Sequence, residues 1–168
     1  MNYKNDLKIK AEGENSFSEA VSTYGVKMGK GFIDAIESGV QLKDPIENES
    51  RLKHGTQMLV STKISKRTVT LRFNIHGDSE SEYMANKKKF EQMLLKGKVD
   101  FVIDDPNHYK KENGSFTDGV YHLVYTGKSV TYNHSYNGKF GVWSAQFIEP
   151  NPSNRTEETD ENVRVISD

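Results

Sequence analysis

Two adjacent carboxylates and an imidazole, Asp104, Asp105 and His108, are the densest group of metal-type ligands in this sequence. Oxygen and imidazole donors of that kind can hold a divalent cation and activate water for hydrolysis. The same residues also spell a turn, because Asp104-Asp105-Pro106-Asn107 follows a strand-like run, and the turn is the preferred reading. The histidines (His54, His76, His108, His122, His134) show no ligand spacing. His122 alternates with Val120 and Val124, as a packed or interface residue of a strand does. Gly29-Lys30-Gly31 lacks the rest of a phosphate-loop pattern and reads as a flexible joint. Lys87-Lys88-Lys89 is narrower than a nucleic-acid footprint, and Lys87 borders an apolar stripe along which its stem can lie. Tyr109, Tyr132 and Tyr136 offer an aromatic platform for a carbohydrate or peptide, an alternative reading of the chain. No paired-carboxylate or Ser-His-Asp site is arguable, so no catalytic, cofactor-binding or metal residue is assigned and the chain reads as a non-enzyme.

The elements that position these residues centre on one run, 67–101. Val69, Leu71, Phe73 and Ile75 alternate with polar residues, the period of a half-buried strand. Gly77-Asp78 turns the chain into a helix. Ser79 is the expected N-cap with Glu82 at the capping-box position. Tyr83, Phe90 and Leu94 share a face, with Lys88, Lys89, Gln92 and Lys96 opposite. Gly97 is the expected C′ residue, and Val99, Phe101 and Ile103 begin a second strand.

Elsewhere, Leu7 and Ile9 mark a short strand. Residues 17–28 favour a strand towards Met28, and Phe32, Ile33 and Ile36 are spaced for a short helical turn. Residues 37–55 read as a long loop that packs on another subunit, since long irregular loops are usually partner-bound or functional. Ser65-Lys66 is a candidate turn between antiparallel strands. Residues 108–118 read as a mobile loop and 120–125 as a central strand. Asn137-Gly138 between strand patterns marks a hairpin. The polar stretch 153–168, mostly acidic with an apolar patch at Val163, Val165 and Ile166, reads as disordered when alone. Together these predict about seven strands and one helix. The fold class is α+β, mainly β, an antiparallel sandwich or open barrel with one packed α-helix. Residues 1–150 form one domain and 151–168 a polar arm.

The chain has 168 residues, 34% hydrophobic and 28% charged, with net charge −1. That hydrophobic share is lean for a globular monomer and points to a thin core, extended arms or burial completed by neighbouring subunits. The near-zero charge gives no field to steer the chain to nucleic acid or membrane. Zero cysteines exclude thiol chemistry and fit a reducing cytoplasm. No secretion signal or run of membrane-spanning length is present.

The stretch Thr68-Val69-Thr70-Leu71-Arg72-Phe73-Asn74-Ile75-His76-Gly77, the helix at 79–97 and Lys98-Val99-Asp100-Phe101 resemble the N-terminal domain of phage distal tail proteins. The segments at 24–35, 46–55 and 121–128 are similar to tail proteins of Bacteroides-type phages and prophages. The resemblance implies a fold shared with tail-tube proteins, a hexameric ring with a DNA-passing lumen, and a place at the distal end of the tube. Its partners would be other copies of itself and the tube, hub or baseplate proteins. It would reside in the virion after assembly in the host cytoplasm, with DNA met only in transit. A tail-tube subunit is the alternative within that family. In such a ring Thr68, Thr70, Arg72 and Asn74 would face the lumen, and Phe32, Ile33, Ile36, Leu42, Ile46 and Leu52 would meet a neighbouring subunit.

Overall fold

The computed structural model describes residues 6–43, 46–49, 56–59, 63–135 and 137–157. In chain order they form β1 (Asp6–Ala11), β2 (Ser18–Glu19), α1 (Ala20–Tyr24), β3 (Val26–Met28), α2 (Phe32–Ile36), β4 (Ile46–Glu49), β5 (Thr56–Leu59), β6 (Arg67–His76), α3 (Glu80–Leu94), β7 (Lys98–Asp104), β8 (Lys110–Glu112), β9 (Ser115–Asp118), β10 (Tyr121–Tyr125), β11 (Thr131–His134) and β12 (Phe140–Glu149). Eight strands make one antiparallel sheet in the order β2-β1-β7-β10-β12-β6-β3, with β11 also on β12. β6 and β12 are its long pair, in register from His76↔Phe140 to Arg67↔Glu149. The other edge of β12 is shared, with β10 at residues 147–148 and β11 at 141–144.

The strict alternation of β6 decides its faces. Val69, Leu71, Phe73 and Ile75 are buried, whereas Thr68, Thr70 and Arg72 are exposed and Asn74 is half-buried. The sheet then curls on itself. β1 and β3 are far apart in strand order yet touch. Phe73 of β6 and Phe101 of β7, with two strands between them, have ring centroids 5.8 Å apart. This is the mainly-β α+β fold expected from the sequence, in its open-barrel rather than its sandwich form.

α3 closes over the same core. Ser79 Oγ accepts from Glu82 N at 3.1 Å, and Glu82 Oε2 accepts from Asp78 N at 3.2 Å, a reciprocal cap. Tyr83, Phe90, Met93 and Leu94 are buried, each contributing roughly 1.5–3 kcal/mol of transfer free energy. Leu95 caps the helix, so Gly97 lies one residue beyond the expected C′ position. With φ of 97° it still makes the left-handed exit that favours glycine, donating to Leu94 O at 3.0 Å.

Several local expectations change. There are three helices among the described residues, not one. Residues 20–24 are helical, with Ala20 and Tyr24 buried one turn apart and Gly25 in the left-handed conformation at the C-cap. The expected loop at 37–55 contains a strand: β4 pairs with β5 as a separate two-stranded ribbon, rooted by the Leu42↔Ile64 bridge and a Lys43 N–Lys63 O bond of 2.8 Å. Ser65-Lys66 is accordingly no hairpin turn, because β6 pairs with β12 and β3 instead. Residues 110–118 are the β8–β9 hairpin, turned by Asn113 (φ 53°) and Gly114 (φ 82°), the same Asn-Gly chemistry that turns β11 into β12. Residues 153–157, expected to be disordered, pack along β9. Glu157 N donates to Phe116 O at 2.8 Å and Val120 N to Arg155 O at 3.0 Å. Residues 158–168 of the arm lie outside the described residues. A second small core (Val102, Phe116, Val120, with Phe17 and Tyr109) joins the hairpin to the opposite face of β7.

Candidate assembly surfaces

The exposed face of the long strand pair is the first surface. Thr68 stands opposite Ile148, Thr70 opposite Gln146, Arg72 opposite Ser144 and Asn74 opposite Val142. Alternation puts these eight residues on the side away from α3. They are small, amidic or apolar, with Arg72 as the single cation and no carboxylate. The four residues expected at a lumen therefore share one solvent-facing strip, and Thr70 and Arg72 are not buried against the helix.

The expected subunit-interface residues are not brought together. Phe32 and Ile36 are 1% and 0% exposed, one helical turn apart, and both point into the chain's own core. The Phe32 ring meets Phe73 edge-on at 5.3 Å and Phe101 at 6.3 Å. Their burial is complete within the subunit, so a neighbour has nothing left to cover. Ile33 is half-buried against that core. Leu42 is 52% exposed at the root of the ribbon. The side chain of Ile46 and all of Leu52 fall outside the described residues.

A buried charge cluster lies at the Arg67↔Glu149 end of the sheet. Glu149 is fully buried and Arg67 is 6% exposed. Arg67 Nη2 is 2.9 Å from Glu149 Oε1, an ion pair off the line of a hydrogen bond. Its Nη1 donates to Ser38 O at 2.7 Å, just before the ribbon. Arg155 Nε and Nη2 donate to the two oxygens of Glu149, both at 3.3 Å. Tyr121 lies between the guanidiniums, 4.8 Å from that of Arg155 and 5.9 Å from that of Arg67. Sequence reasoning passed over all three charges, although Arg67 and Glu149 share the parity of the core-facing residues of their strands.

The groups that suggested chemistry are used structurally. Asp104 pairs with Lys8 at 3.7 Å, whereas His108 contacts Glu37 through Nδ1 and lies 3.7 Å from Asp105. Among the described residues, no group of three or more such side chains is arranged to hold a metal ion. His122 Nδ1 is 2.8 Å from Asp100 Oδ1 and Nε2 is 2.7 Å from Thr156 O. The ring thus bridges Asp100 of β7 and the backbone of Thr156, and it fastens that segment to the sheet. Tyr132 shares a hydroxyl contact with Tyr83, and the Lys87 ammonium lies 4.5 Å above its ring. Tyr109 packs edge-on against Phe116. These rings are spent on internal contacts. Tyr136, the third ring of the expected aromatic platform, lies outside the described residues.

Burial, the largest cause in each case, raises the hydroxyl pKa of Tyr24, Tyr83, Tyr121 and Tyr125 above the ordinary value near 10. Carboxylates Glu14 and Glu91 add to this at Tyr24 and Tyr125, and the Tyr132 contact adds at Tyr83. The unfolded chain ionises first, so this stability is whole below about pH 10 and is lost as pH rises through the folded values. In an absorbance titration, four of the 8 tyrosines should ionise late and together with unfolding. Eight reversible ionisations near pH 10 in a folded chain would contradict it.

A curled antiparallel half-barrel with a capped helix across its core, a detached ribbon and a bare polar strip defines the architecture. One solved chain with this fold comes from the phage p2 baseplate in its activated conformation with Sr, at 16% identity and TM-score 0.51, covering 90% of this chain and 45% of that one. The Dit protein of phage SPP1, described as a paradigm of hub adsorption apparatus in phages infecting Gram-positive bacteria, aligns at 12% identity and TM-score 0.47, covering 87% and 50%. This chain thus spans about half the length of the solved chains it matches. No protein-family model matches it, and no curated protein matches its sequence.

Proposed function

We propose that this chain is a structural subunit of a phage tail. Six copies close into a ring at the distal end of the tube, joining it to the baseplate or receptor-binding apparatus. The observation that carries this reading is the fold it shares with the phage p2 baseplate chain over 90% of its length. Leu42, 52% exposed at the root of the β4–β5 ribbon, offers a contact for a neighbouring copy. Heterologous contacts that close by rotation produce rings.

Within the ring, the strip of Thr68, Thr70, Arg72 and Asn74 faces the lumen. Without carboxylates it does not repel DNA in transit, and with one cation per strip it does not hold it. Light scattering and electron micrographs of the chain mixed with its tail partners should show rings; monomers alone would overturn the proposal. The chain has no native cysteine, so a gold label on a Thr70→Cys chain should appear inside the bore. Label on the outer rim would reverse the face assignment and leave the ring intact.

A further inference from the structure

The outward face of α3 is apolar at its ends and basic between them. Met84 is 49% exposed and Leu95 67%. Lys88 lies on the same stripe, because helical neighbours recur three and four residues apart. A groove of about 390 Å³ opens along Met84, Ala85, Lys88 and Glu91. Between 87 and 96 the chain carries four lysines (Lys87, Lys88, Lys89, Lys96) against one carboxylate, Glu91. Isolated apolar residues on a surface are ordinary, but two flanking a basic stripe and a groove form a surface fit for a partner.

Residues 158–168 have the complementary order. Glu158, Asp160 and Glu161 come first, then Val163, Val165 and Ile166 with Arg164 among them, and Asp168 ends the run, so carboxylates outnumber cations four to one. The heading of the chain at its last described residue favours the α3 of another copy over its own. Phe101 and Ile103 of β7 point into the main core with α3, whereas Val102 between them points to Phe116 and Val120. Of residues 155–157, Thr156 and Glu157 meet His122 and Phe116 on that second side, whereas the Arg155 side chain reaches Glu149 and Tyr121 of the main-core face. The bonds Val120 N–Arg155 O and Glu157 N–Phe116 O make them antiparallel to β9, so the chain passes Glu157 heading for the tip of the β8–β9 hairpin. That direction keeps to the face of β7 opposite its own helix.

We propose that residues 158–168 of one copy dock along the Met84–Leu95 face of α3 in a second copy. The acidic residues meet the lysines, and Val163, Val165 and Ile166 cover Met84 and Leu95. Charge complementarity of this kind sets register and speeds encounter, and salt screens it. The contact holds whether or not the copies close into a ring.

The absence of cysteine makes the test clean. Chains carrying Met84→Cys are mixed with chains carrying Val163→Cys under mild oxidation, where a bridge requires Cα atoms within about 7 Å. Mixed dimers should exceed, several-fold, those formed when Lys30→Cys replaces Met84→Cys. Adding Lys88→Glu to the Met84→Cys chain, or adding about 1 M salt, should reduce them several-fold. Circular dichroism and thermal melts of each single variant should match the parent, so that a change reports docking rather than folding. Mixed dimers no more abundant than in the Lys30→Cys control would overturn the proposal. So would a chain bearing both Met84→Cys and Val163→Cys that closes only on itself at the same concentration.

Discussion

Phe73→Ala is expected to lower the unfolding free energy by about 3–5 kcal/mol, the cost of removing a buried aromatic ring and leaving a cavity. Phe73 is fully buried, and its ring touches those of Phe32, Phe90, Phe101 and Phe147 at centroid distances of 5.0–6.1 Å. Those partners belong to α2, α3, β7 and β12, so one ring joins both helices to the two sides of the curl. Edge-to-face contacts of this type add about 0.5–1.5 kcal/mol beyond area burial. Urea denaturation should show the loss, with a melting temperature lower by roughly 6–20 °C for a chain of this size. A change below about 1 kcal/mol would mean that the curl is held elsewhere.

Glu149→Gln is expected to destabilise the chain by about 3–5 kcal/mol, since removing one partner leaves the buried Arg67 charge uncompensated. Volume is nearly unchanged, so a large loss reports charge rather than packing. Hydrogen exchange at the amides of Val120 and Glu157 should quicken with it, because Arg155 places the segment to which both are bonded. Joint replacement by Arg67→Met and Glu149→Leu removes the buried pair, leaves only the 24% exposed Arg155 side chain to be solvated, and should recover most of the lost stability. If the double variant were as unstable as Glu149→Gln alone, the ion pair would not be the cause.

The strand alternation at 67–76 was plain in the sequence because a half-buried strand must repeat every two residues. The helix signals at Ser79 and Gly97 were equally plain, since a helix end leaves backbone groups that only a few side chains or turns satisfy. Other elements were written more faintly. The β8–β9 hairpin carries the same Asn-Gly signal as the β11–β12 hairpin, but its flanks are polar and show no hydrophobic period. β4 and β5 are short, and the sequence between them carries no Asn-Gly pair, so nothing local marks the ribbon. Residues 17–28 suggested a strand towards Met28, which β3 supplies, yet before it Ala20 and Tyr24 are buried one helical turn apart, and there tertiary burial outweighed propensity. The bare strip of Thr68, Thr70, Arg72 and Asn74 followed from period alone. The interface assignment failed at Phe32 and Ile36 because helical spacing shows that two residues share a face, but not which surface that face meets.

The cluster at Glu149 also sets a path for mechanical load. Beyond residue 157, tension on the chain would pass through the Glu157–Phe116 and His122–Thr156 bonds to Arg155, then Glu149, Arg67 and Ser38, where the ribbon begins. Two segments that emerge at different points of the half-barrel are thus moored to one carboxylate, and a pull on one is felt at the root of the other.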